Sequence, residues 1–95
     1  MDQERLLALL EATHNYPGVH RLQIIVRQDE ELIAGVLAAL AGQVGLEHLD
    51  DRHERVPSRK GSYVSLRVRV PVQDAGEVLA LYALLGRMDG LLSYF

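Results

Sequence analysis

Cysteine is missing altogether, so the chain can form no disulfide, offers no thiolate nucleophile and has no cysteine-based metal site. That suits a reducing cytosol. No apolar run comes near the ~20 residues that a membrane-spanning helix needs. The first residues, Met1-Asp2-Gln3-Glu4-Arg5, lack the basic start of a secretory signal, and the leucines after them are too few for its apolar core. A cytoplasmic protein with no membrane partner is the expectation. Internal repeats, low-complexity tracts and linkers are also absent, so 95 residues read as one domain with one core. Residues 1–15 form a helical segment in this reading, and residues 16–95 a single domain.

What is present is ordinary globular material, 48% apolar and 24% charged, but the charge is unevenly placed. Between Arg52 and Arg69 stand six basic residues and one acid, net +5; the remainder holds four basic and twelve acidic residues, net -8. Such a division can bias which partners approach which side of the molecule.

The clearest local pattern lies inside the basic region. Val64, Leu66, Val68 and Val70 alternate with Ser65, Arg67 and Arg69, which predicts a strand with one face on a core and one face outward. Pro57, Ser58 and Gly61 ahead of it punctuate a turn.

Around this strand the chain orders itself. Asp2 to about Thr13 predicts a short helix with Leu6, Leu9 and Leu10 on one stripe, widened by Leu7, and acids at its start. His14-Asn15-Tyr16-Pro17-Gly18 breaks it. Val19 to Arg27 reads as a strand, with Leu22, Ile24 and Val26 on one face and Arg21, Gln23, Ile25 and Arg27 on the other. Asp29 is a plausible N-cap for a helix running to about Gln43, with Leu32, Val36, Leu37 (or Ile33), Ala39, Leu40 and Val44 on a wide face. Gly42 and Gly45 supply its stop. Leu46 to Val56 is charge-rich and weakly patterned, as a loop followed by an edge strand would be. Asp74-Ala75-Gly76-Glu77 has the form of a capping box, opening a helix that carries Val78, Leu81, Tyr82 and Leu85 and ends at Gly86. Leu91 to Phe95 closes the chain as a short strand.

After the leading helix the order is strand, helix, strand, strand, helix, strand. Two right-handed crossover units interleaved in this way give an α+β, ferredoxin-like βαββαβ sandwich, with a four-stranded antiparallel sheet and both helices on one face.

Pro57-Ser58-Arg59-Lys60-Gly61-Ser62-Tyr63-Val64-Ser65 resembles the Pro-Ser-x-Lys-Gly-x-Tyr-x-Ser signature of the YbeD-like bacterial proteins. Leu81-Tyr82-x-x-Leu85 and the short last strand fit the same pattern. The likeness covers roughly Tyr16 to Phe95; the leading helix and the His48–His53 region match it poorly. It implies a ferredoxin-like fold close to the ACT regulatory domains of metabolic enzymes, and a regulatory role linked to lipoate metabolism, with Pro57, Ser58, Lys60, Gly61, Tyr63 and Ser65 as motif residues. ACT domains that bind amino acids usually place a glycine after the first strand. Here that loop is Arg27-Gln28-Asp29-Glu30-Glu31, bulky and acidic, which disfavours an amino-acid or anionic ligand there.

His48, Asp50, Asp51, His53 and Glu54 could ligate a metal, but on a strand His48 and His53 fall on opposite faces, so no metal is expected. RNA-recognition domains share the topology, yet they carry aromatics on the sheet; here Lys60-Gly61 is followed by Ser62, Tyr63 and Val64, out of register, and Arg21, Gln23 and Ile25 include no ring. No nucleic-acid partner is expected. Ser58 and Ser65 have no histidine placed to activate them, and no nucleophile–base pair stands out, so neither catalysis nor a cofactor is expected. The leading expectation is a regulatory or protein-interaction module, with an ACT-type dimeric sensor of a small, anionic ligand, an amino acid or a lipoate-related acid, as the alternative. Its surface is the outer sheet face carrying Arg21, Ser65, Arg67 and Arg69, to be covered by the leading helix, a second copy or an acidic protein partner.

Overall fold

The computed structural model describes residues 2–95. Helix α1 (Gln3–Thr13) is followed by β1 (Gly18–Arg27), α2 (Glu30–Gln43), β2 (His53–Pro57), β3 (Tyr63–Val72), α3 (Ala75–Gly86) and β4 (Leu91–Tyr94). All pairings are antiparallel and the strand order is β2-β3-β1-β4. This is the ferredoxin-like arrangement, with β1 and β3 at the centre, paired over all ten residues of each, Gly18 opposite Val72 and Arg27 opposite Tyr63.

Alternation decides which side chains meet the helices. Leu22, Ile24 and Val26 on β1 and Val64, Leu66, Val68, Val70 and Val72 on β3 are buried, against Ile33, Val36, Leu37 and Leu40 of α2 and Val78, Leu81 and Leu85 of α3. Both Ile33 and Leu37 are buried, so the choice between them falls away. Ala39, expected on that face, is only half-buried, whereas Ala41 is fully enclosed. Leu49, in an unpatterned loop, also fills the core.

Each helix is capped by its own sequence. Asp2, Asp29 and Asp74 are the N-caps, Asp29 accepting from the Glu31 and Leu32 amides and Asp74 from the Glu77 amide. The Glu77 carboxylate reaches back to the Gln73 N–H at 2.8 Å, one residue earlier than the usual box. Helix α2 ends in a Schellman motif: Gly45, at φ +75°, lets the Leu46 N–H reach Ala41 O and its own N–H reach Gly42 O.

Helix α1 corrects one expectation. It packs against α3, with Leu10 on the edge of the core, and so lies on the helical side of the sheet and not over the outer face. Leu9 accordingly points away from the stripe's contact and is 52% exposed, while Leu6, Leu7 and Leu10 are half-buried. The apolar surface offered by α3 drew the helix to this side, since a short helix gains its stability from packing.

Candidate functional site

No helix covers the outer face of the sheet among the described residues. Arg21 stands directly opposite Arg69, Gln23 opposite Arg67, and Ile25 opposite Ser65. Beyond β3, Glu54 lies opposite Arg67 and Val56 opposite Ser65. On the other side, Gln23 and Phe95 exchange both main-chain hydrogen bonds, at 2.7 and 2.9 Å, which sets the exposed Phe95 ring beside Gln23. Between them runs an open cleft of ≈ 480 Å³, lined by Arg21, Gln23, Glu54, Arg67, Arg69 and Phe95. Four expected surface residues, Arg21, Ser65, Arg67 and Arg69, thus share one face, and three of them line the cleft.

Their local bonding differs. Arg69 is held at the start of β2: it donates to Asp51 O at 3.3 Å and lies 3.7 Å from the Glu54 carboxylate. Ser65 accepts a hydrogen bond from Gln23 Nε2 at 3.0 Å. Arg21 and Arg67 form no ion pair among the described residues, though both are exposed. Arginine suits such a surface, because its planar fork meets a carboxylate through two parallel hydrogen bonds.

The residues of the sequence motif build the β2–β3 hairpin. Ser58 accepts from Gly61 N–H through its carbonyl and from Tyr63 N–H through its hydroxyl, and Ser58 N–H donates to Tyr63 O at 2.8 Å. Gly61 takes φ +75°, which suits glycine in that turn. Pro57 closes β2, where a missing N–H and nearby charges blunt an edge strand. The Ser62 carbonyl accepts from Gln28 N–H, tying the turn to the end of β1. Lys60 is exposed. Tyr63, another motif residue, stands 44% exposed on the outer face opposite Arg27, because the alternation that buries Val64 turns its neighbour out.

The other sequence candidates are placed apart from this face. His48 lies in the loop before β2 and not on a strand, and its Nδ1 accepts from Asp50 N–H at 3.3 Å. His53 opens β2 and donates Nδ1–H to Leu49 O at 2.8 Å. Among the described residues no three His, Asp or Glu side chains converge as metal ligands. In the loop after β1, the Asp29 carboxylate occupies the first amides of α2, and Glu30 is bound by Arg55 at 2.7 Å, which holds its carboxyl below the usual range.

A ladder of rings lies on the helical side. His20 Nε2 meets the Tyr82 hydroxyl at 2.9 Å, and Tyr82 neighbours Tyr94 with ring centroids 6.4 Å apart. Partial burial lowers the His20 pKa, aided by nearby His14, and burial raises that of Tyr82. Sequence reading passed over His20, although its parity with Leu22 and Ile24 already turned it inward.

Residues 11–94 match the family model of DUF493, proteins of unknown function. The chain belongs to DUF493. The match begins inside α1 and runs through the His48–His53 region, which fits the YbeD-like pattern poorly. Among curated proteins and among solved structures nothing matches. DUF493 membership covers every element from β1 to β4, and therefore the whole of the arginine-bearing sheet face.

Proposed function

We propose that this DUF493 protein is a small non-catalytic regulatory module that works by protein contact, through the outer face of its sheet. The observation that carries the reading is the open arginine face itself: Arg21, Arg67 and Arg69 brought together on β1 and β3, with α1 on the opposite side. Two arginines directly opposite each other on neighbouring strands are mildly destabilising, and an acidic partner relieves that. The YbeD-like hairpin supports the regulatory half of the reading. A protein partner, or a second copy, is favoured over nucleic acid because β1 offers Arg21, Gln23 and Ile25 and no ring for bases to stack on, and the exposed rings of this face, Tyr63 and Phe95, stand at strand ends. It is favoured over a small anion at the β1–α2 loop because Asp29 already satisfies the amides such an anion would use.

Replacing Arg67 and Arg69 together with serine tests this. The double variant keeps the circular dichroism and melting behaviour of a folded chain but fails to retain the native partner in affinity capture, or dissociates if the partner is a second copy. A folded double variant that recovers the same partners and the same self-association refutes the assignment of this face.

A further inference from the structure

Strand β1 is ten residues long and β4 only four, so the two edges of β1 are unequally covered. On one side β3 accompanies every residue. On the other, β4 pairs with Val26, Ile25 and Ile24, and the lane ends where Gln23 and Phe95 exchange N–H···O bonds in both directions. In an antiparallel sheet, residues two apart direct their main-chain groups to the same neighbour. Arg21 and Val19 therefore aim N–H and C=O into the same lane as Gln23, where no strand lies among the described residues. At ~3.4 Å per residue the open stretch is about 15 Å long. It adjoins the cleft that Arg21 and Arg67 line, and Val19 and Phe95, each 58% exposed, flank it with apolar surface.

We infer that an extended acidic segment of a partner protein adds to β1 in this lane, antiparallel as β4 is. Its main chain bonds to Arg21 and Val19, and its carboxylates enter the cleft between Arg21 and Arg67. The inference rests on the interaction-face reading above and adds the partner's chemistry and mode of capture. Strand addition joins main-chain hydrogen bonds, which are indifferent to sequence, to pockets that select alternate side chains. Here the selecting groups are guanidinium forks, and Glu54 leaves Arg21 and Arg67 free by engaging Arg69. A second copy does not supply such a segment: of its acids only Glu54 stands on a strand, where it engages Arg69, and the others lie on helices, at helix caps or in loops. Pairing opposite Arg21 puts a partner residue's side chain on the outer face and its N–H toward β1. The same residues that carry the carboxylates thus donate the hydrogen bonds.

The probe is a blocked heptapeptide of alternating valine and glutamate, titrated into the full chain and followed by amide NMR and hydrogen exchange. Saturable shifts are expected at Val19, Arg21 and Gln23, with the Val19 and Arg21 amides exchanging fast in the free chain and slowly in the complex. Methylating the glutamate nitrogens should abolish binding, whereas methylating the valine nitrogens, which face away, should leave it. Arg67→Ser with Arg69→Ser should weaken binding by about tenfold or more, and Arg87→Ser, at the end of α3, should not. Slow exchange at Val19 and Arg21 in the free chain would mean the lane is already filled and overturns the inference. So does equal binding of the glutamate-methylated peptide; if the arginine double variant still loses that binding, the interaction face stands and only strand addition falls. Unchanged binding by the double variant sinks both.

Discussion

Leu66 and Arg67 are adjacent on the central strand and differ in almost every energetic respect, which makes the pair a sharp test of the register. Leu66 is 0% exposed, and its partner on β1, Ile24, is equally buried. Truncation to alanine removes apolar atoms and leaves a cavity that the backbone cannot close, because β1 and β2 hold β3 from both sides. Buried leucine-to-alanine changes cost about 2–5 kcal/mol, and the confined site points to about 3 kcal/mol. For a domain of this size that lowers Tm by about 12–24 °C. Arg67→Ala, one residue on, faces solvent and should change stability by less than about 0.5 kcal/mol. Urea unfolding measures both, with the slope unchanged so that the midpoints report stability alone. Comparable costs at the two positions, or a larger one at Arg67, would mean the strand is displaced by one residue and the arginines face the core.

Lowering the pH should destabilise the chain through His20. Its folded pKa is depressed by burial, so the unfolded chain takes the proton first; the full stability holds above about pH 6.5 and is lost as pH falls below it. His20→Gln should flatten that part of the pH–Tm curve, and an unchanged curve would remove His20 from the account. Asp74→Ala deprives the Glu77 amide of its acceptor and should cost about 1 kcal/mol in chemical denaturation, whereas Asp74→Asn should cost less. Arg21→Gln separates two arginines that face each other and should raise Tm slightly at low salt; the gain should vanish at about 1 M salt, where charges are screened within ~3 Å. A gain that survives high salt would have another origin.

Periodicity makes much of this fold legible in the sequence. Alternation in residues 64–70 and 22–26 assigned the two central strands and their buried faces, and Asp29 and Asp74 marked the starts of α2 and α3, because these signals are local and each residue's role depends on near neighbours. Four arginines could likewise be assigned to one face by parity alone. Other features depend on distant segments meeting in space. Leu49 joins the core from an unpatterned loop, and His20 finds Tyr82 sixty-two residues away. The leucines of α1 showed that the helix must pack on something, but not on what; the exposed flank of α3 decided it, and so left the arginine face open. The unequal lengths of β1 and β4 were visible as runs of residues. Only the register, ending at Gln23 and Phe95, turned that inequality into an unpaired edge beside Arg21, since pairing is a property of two strands and never of one.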